Sequence, residues 1–215
     1  MPHRNRVTPF GEIVAMPERG TLMGNRGVLL GDDGTHRRDW QVWRWIACRL
    51  EFKGRRRPIR QPRRWTELFF LDEATALAAG HRPCAECRRE DYRRWQAAWP
   101  HADTGADAMD RVLHADRLDG RAKRTFEAAL GDLPDGVMVT RGAPAAAHDA
   151  ATGGPAAAGA GTLLLWRGAL RPWAPGGYGA PEPARAGERV TVLTPRATVD
   201  AIARGYGVSV HPSAT

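Results

Sequence analysis

The sequence predicts an α+β protein, with a β-rich N-terminal half (1–100) that carries a cysteine knuckle and helices, packed against a smaller α+β C-terminal unit (101–215). Three observations lead there. Up to residue 71 the apolar residues come in short runs broken by glycine and proline. From residue 72 the pattern changes to helical spacing with recognisable caps. Beyond a low-complexity stretch at 143–160, strand-like runs return.

In the first stretch, Gly24-Asn25-Arg26-Gly27 and Asp32-Asp33-Gly34 read as turns flanking the apolar run Val28-Leu29-Leu30. Trp43, Trp45, Ala47, Leu50 and Phe52 alternate as in a strand with a slip near Cys48, and Leu68-Phe69-Phe70-Leu71 reads as a short buried strand. Asp72 is suited to cap a helix over Glu73 to Ala79, and Gly80 to close it, since glycine enters the left-handed region without a Cβ clash. A second helix is expected from Pro83 or Cys84 to Trp99, stopped by Pro100. A third is expected over about Ala106 to Leu118, with Met109, Val112 and Leu113 on one side. Lys123 to Leu130 reads as a further helical stretch, and Pro134-Asp135-Gly136 as a turn into the strand Val137-Met138-Val139. Residues 143–160 hold ten Ala, three Gly and two Pro, a composition with nothing to pack, and read as a loop. Thr162 to Trp166 and Arg189 to Leu193 read as strands. Thr194-Pro195 opens a last helix that Gly205 closes.

Composition excludes several classes. A chain of 215 residues, 42% hydrophobic and 26% charged, has material for a folded core. It has no apolar run of membrane-spanning length, and its first thirty residues lack the unbroken apolar stretch of a secretory signal. Three cysteines do not make a disulfide scaffold. A cytoplasmic location with no membrane partner is expected.

The net charge of +8 is concentrated. Residues 1–100 hold all of it, and residues 37–64 alone reach +9 through Arg37, Arg38, Arg44, Arg49, Lys53, Arg55, Arg56, Arg57, Arg60, Arg63 and Arg64 against Asp39 and Glu51. The use of 30 Arg and 2 Lys is what a GC-rich coding bias produces, but such bias does not gather the excess into one window. A local field of this kind steers a polyanion. Trp40, Trp43, Trp45 and Trp65 are interleaved with the arginines. Each is a core candidate, and each is also suited to stack on a base beside phosphate-binding guanidinium groups. Arg55, Arg56, Arg57, Arg60, Arg63, Arg64 and Arg82 are the candidate nucleic-acid contacts. An acidic protein is the competing partner for the same window.

Cys84-x2-Cys87 puts two thiols on one turn at the expected start of a helix, with Cys48 lying 36 residues upstream. Such a pair is a redox couple, half of a zinc site, or inert core. The thioredoxin-like strand and βαβ pattern that a redox couple requires is missing. A zinc site of Cys48, Cys84 and Cys87 with a fourth ligand is the preferred reading. His81, His36, His114 and water are the candidates for the fourth position, His81 by its spacing in His81-x2-Cys84-x2-Cys87.

The stretch from Phe69 to Cys87, with its aromatic strand, its helix and its Gly80-His81-Arg82-Pro83-Cys84-Ala85-Glu86-Cys87 knuckle, resembles the second half of the metal-binding domain of the Ada alkylation-response family. Trp45-Ile46-Ala47-Cys48-Arg49 resembles that domain's first ligand segment. The resemblance spans about residues 44–91. It implies a zinc-centred DNA-binding module in which Cys48 matches the cysteine that accepts a methyl group from a DNA phosphotriester. The family has a further cysteine four residues later, where this chain has Phe52. Three thiolates and a neutral ligand leave one negative charge on the centre where four leave two, so the sulfur here is expected to be the poorer nucleophile.

Asp107, Asp110, His114 and Arg117 recur along one face of the third helix. A carboxylate and a histidine one turn apart are the candidates for acid–base or metal chemistry, and equally a solvated face opposite Met109, Val112 and Leu113. Trp173, Tyr178 and the glycines at 176, 177 and 179 are pocket candidates, while His211 shows no partner. The sequence therefore reads as a zinc-containing DNA-binding protein of DNA repair or processing. The alternative is a DNA-acting enzyme, a nuclease or a base-excising activity, with its site between the two halves around Asp107, Asp110 and His114.

Overall fold

The structure is a computed structural model and describes residues 2–54, 59, 61, 63–142, 159–185 and 187–215. Among the described residues the fold is α+β, with a six-stranded sheet, a seven-stranded sheet and a two-stranded hairpin, and the helix Glu73–Ala78 touches strands of both large sheets. The first sheet holds β1 (Arg4–Val7), β2 (Ile13–Ala15), β3 (Leu22–Asn25), β4 (Ile46–Arg49), β5 (Leu68–Phe70) and β6 (Arg82–Pro83). Their spatial order is β2-β1-β5-β3-β4-β6, and the β1–β5 and β4–β6 pairs are parallel. Pro83 is tolerated because β6 is an edge strand, where a missing N–H leaves no ladder bond broken.

Between β5 and β6 lies α1 (Glu73–Ala78), and its two ends form as the residues dictate. Asp72 accepts from the Thr75 N–H at 2.9 Å as N-cap. At the other end Gly80, at φ +85°, donates to Leu77 O, and His81 donates to Ala76 O, both at 2.9 Å. This pairing is the Schellman closure. It turns the chain sharply back into β6.

After the cysteine turn come α2 (Arg89–Ala98), α3 (Ala106–Arg117) and a short hairpin of β7 (Leu118–Asp119) and β8 (Ala122–Lys123). The second sheet holds β9 (Phe126–Ala129), β10 (Met138–Thr140), β11 (Thr162–Trp166), β12 (Ala169–Ala174), β13 (Gly177–Tyr178), β14 (Glu182–Pro183) and β15 (Arg189–Val192). Its order is β13-β12-β11-β10-β15-β9, with β14 also on β12. Then α4 (Arg196–Ala203) repeats the Schellman closure, with Gly205 donating to Ile202 O and Tyr206 to Ala201 O. The largest core cluster runs from Leu77 on α1 through Trp95, Trp99, Met109 and Leu113 to Val190, Val192, Ile202 and Tyr206.

Several expectations are corrected. Gly24 and Asn25 lie in β3 and pair with β4, so they are strand and not turn. Lys123 to Leu130 is not helical. Phe126–Ala129 pairs along its whole length with β15, and tertiary pairing overrides the local helical preference of its alanines. The last helix starts one residue later than expected, because the Thr194 hydroxyl accepts from the Met138 N–H at 3.0 Å instead of capping. Residues 143–158 of the expected loop lie outside the described residues. Among the described residues, no helix is long and apolar enough to cross a membrane.

Candidate metal centre and its cationic surroundings

β4 carries Cys48, and the parallel β4–β6 register sets Ala47 against Pro83. The Cys84 N–H then donates to Ala47 O at 3.0 Å, which brings the cysteine turn beside Cys48. The Sγ atoms of Cys48, Cys84 and Cys87 all lie within 4.8 Å of one another. Cys84 and Cys87 are buried and Cys48 is half-buried. Residues 85–88 form a turn, and α2 begins only at Arg89, so the thiols precede the helix instead of occupying its first turn.

The sulfurs interact strongly. Hydrogen bonding from the Cys48 and Cys87 thiols, and then from the backbone N–H groups of Cys87 and Glu86, holds the Cys84 thiol far below the ordinary range. Cys48, bonded to Cys84 and Cys87 and desolvated, is pushed far up. The Arg49 N–H reaches the Cys87 sulfur. Three thiols sharing protons at this spacing suit a divalent cation. Tetrahedral ligation at Zn–S distances of about 2.3 Å sets sulfurs roughly 3.8 Å apart. A soft thiolate set with backbone N–H donors fits such an ion, which would deprotonate all three.

Among the described residues no His, Asp or Glu joins the three sulfurs. His81, the candidate by spacing, is turned away by the helix closure that positions it. Its ring is fully buried between Phe70 and Trp45, with centroids 4.6 and 5.3 Å away, and Nε2 accepts from Arg26 Nε at 3.2 Å. Burial, then the positive charges of Arg26 and Arg117, hold it neutral, with its pKa well below the usual value. His36 is also elsewhere, with its Nε2 2.7 Å from Arg4 O.

Arg82 requires a correction too. As a phosphate contact it would face solvent, yet it is 1% exposed and grips Asp110 with two bonds, Nε to Oδ1 at 2.9 Å and Nη2 to Oδ2 at 2.7 Å. An arginine so buried is held by its carboxylate partner and has no reach to a ligand. Asp110 is thereby committed, and the Asp107–Asp110–His114 face is no acid–base array. Asp107 is exposed and pairs with Arg44 at 3.1 Å. His114 packs against Trp40 and Trp43, with centroids 4.7 and 6.0 Å away, and its Nδ1 lies 3.0 Å from Arg117 Nη2.

A buried cationic layer beside Trp45 was not foreseeable from residue order, because it is assembled from Arg26, Arg117 and Lys123, far apart in the chain. The Arg26 and Arg117 guanidinium groups lie over the Trp45 ring at 4.0 and 3.9 Å. Burial, with only Asp39 opposing it, lowers Arg26 to about 9, and burial together with Arg26 lowers Arg117 to about 9. Lys123 donates to Ala78 O at 2.6 Å, and burial followed by the charges of Arg26 and Arg117 lowers it to about 7. Trp45, of the four tryptophans in the window, is the buried one. Trp43 and Trp65 are 52% and 56% exposed. Arg63, paired with Asp32, and Arg64 are exposed as well. Arg55, Arg56, Arg57 and Arg60 lie outside the described residues.

The remaining candidates are structural. Tyr178 donates to Asp72 Oδ2 at 2.8 Å, and Trp173 Nε1 to Thr75 Oγ1 at 3.1 Å, so both close against α1. Trp173 also lines a shallow cleft with Phe69, Leu71 and Pro175, whereas Tyr178 and the three glycines do not. His211 does have partners: its backbone N–H donates to Asp72 Oδ2 at 2.9 Å, and its ring Nδ1 lies 2.8 Å from the Ser213 hydroxyl. Set against protein-family models, curated proteins and solved structures, the chain matches none.

Proposed function

We propose that the protein is a zinc-stapled DNA-binding protein of DNA repair or processing, working in the reducing cytoplasm, where its three thiols stay available to the metal. The observation that carries the reading is the surface between residues 42 and 65. All five large apolar side chains exposed among the described residues, Val42, Trp43, Leu50, Ile59 and Trp65, fall there, inside or directly beside the stretch that holds +9 of charge. Exposed apolar side chains concentrated in one stretch of chain support a binding role, and the interleaved arginines favour a polyanion. Arg38, Arg49 and Arg64 are exposed and form no ion pair among the described residues, so their charge is open to phosphate. Zinc on Cys48, Cys84 and Cys87 would staple β4 to the cysteine turn and so hold the root of this segment. The Ada-like knuckle supports the same reading, with Cys48 in the acceptor position and Phe52 where that family has a cysteine.

The test has two arms. Metal analysis of the purified chain should find one zinc per chain, falling in Cys48→Ser and Cys84→Ser variants; equal zinc in the Cys48→Ser variant removes that residue from the ligand set. Fluorescence anisotropy with labelled DNA should show affinity falling steeply with salt as bound counterions are displaced. Replacing Arg55, Arg56 and Arg57 together by Ala should flatten the slope, and an unchanged slope counts against their assignment.

A further inference from the structure

A tryptophan left half in water is a cost that its surroundings must justify, and the surroundings of Trp43 hold it in place with care. Its indole stacks on His114 at 6.0 Å with 27° between the planes, so one face is backed. Its carbonyl accepts from Arg117 Nη2. Arg117 is itself anchored, with Nη1 donating to Gly80 O at 2.9 Å and its guanidinium 3.9 Å above the buried Trp45. Trp40 also packs on His114, with centroids 4.7 Å apart and planes 72° from parallel. Trp43 is therefore fixed in orientation while 52% of it stays open to solvent.

We propose that Trp43 is a stacking platform for an unpaired base, so that this surface prefers single-stranded to duplex DNA. The inference rests on the DNA-binding reading and adds the form of DNA. In a duplex the base faces are already stacked on one another and only phosphates and groove edges are offered. An extended single strand offers both phosphates, for which Arg38 and Arg49 lie in the same segment, and a free π-face for the indole. Orientation fixed beforehand by His114 and Arg117 lowers the ordering loss on binding. A ring kept only as leftover core would need no such backing.

The experiment measures anisotropy of the full, metal-loaded chain with a labelled oligothymidylate and with a labelled hairpin duplex at one salt concentration, for the wild type, Trp43→Ala and Trp43→Phe. Stacking by one ring predicts roughly a tenfold or larger preference for the single strand. Trp43→Ala should abolish that preference and Trp43→Phe restore most of it, with unchanged circular dichroism in both. Equal affinity of the wild type for the two oligonucleotides, or a preference that survives Trp43→Ala, overturns the platform and leaves DNA binding standing. Failure of the wild type to bind either oligonucleotide at low salt overturns the DNA-binding reading itself.

Discussion

Arg82 and Asp110 form a two-bond fork in the interior, at 2.9 and 2.7 Å, that ties the strand entering the cysteine turn to the middle of α3. Arg82 is one residue from the pairing that sets Ala47 against Pro83, so the fork steadies the register on which the convergence of the three sulfurs depends. Removing Asp110 leaves the Arg82 charge buried without its carboxylate, and removing Arg82 leaves buried Asp110 only the longer ion pair to Arg44 at 3.8 Å. Arg82→Met and Asp110→Ala are each expected to lose about 3–5 kcal/mol in urea denaturation. The double variant should lose much less than the sum; additive losses would show that the pair is not coupled.

Metal removal should act on stability through the same strand. A ligand bound only by the folded state, at a free concentration a thousandfold above its dissociation constant, adds about 4 kcal/mol. Chelation is therefore expected to lower the melting temperature in calorimetry. The Cys84→Ser variant should melt at the chelated value and stop responding to chelator.

The buried Lys123 gives a dependence on pH. Its folded pKa of about 7 lies below the ordinary lysine value of 10.5, so between these limits the unfolded chain binds more protons than the folded one. Through Lys123, stability should rise as pH increases from about 7 towards 10.5 by at most about 1.4 kcal/mol per pH unit, and the lowered Arg26 and Arg117 add to the rise above about pH 9. Lys123→Met should flatten the part of the slope nearest neutrality. Melting curves over this range read it directly.

Gly80 links the helix closure to the tryptophan surface. At φ +85° a Cβ there would stand 2.5 Å from Arg117 Cδ and 2.9 Å from its Cβ, so Gly80→Ala brings backbone strain and displaces the arginine that supports Trp43 and Trp45. A loss of about 1–3 kcal/mol is expected. Tryptophan fluorescence should become more accessible to an added quencher, and the increase should disappear when Trp43→Phe is added to Gly80→Ala. An unaltered quenching constant would break the proposed link.

What depends on a few neighbouring residues was legible in the sequence. The Asp72 cap, the Gly80 and Gly205 closures, the strands at 68–70, 162–166 and 189–192, and the cysteine pair all follow from backbone preferences that act within one turn. That Cys48 belongs with Cys84 and Cys87 was legible too, through spacing and resemblance, and the sulfurs do converge. Tertiary structure alone decided what long side chains do. An arginine reads the same on paper whether it faces water, as Arg64 does, or forks onto a carboxylate 28 residues away, as Arg82 does. Trp43 and Trp45 sit two residues apart, yet one is half in solvent and the other is buried against two guanidinium groups. His81 has ideal spacing for a ligand and points into the core. Local propensity is settled by a residue and its neighbours, whereas burial and pairing are settled by whatever the distant chain brings alongside, and that information appears only once the sheets and helices have packed.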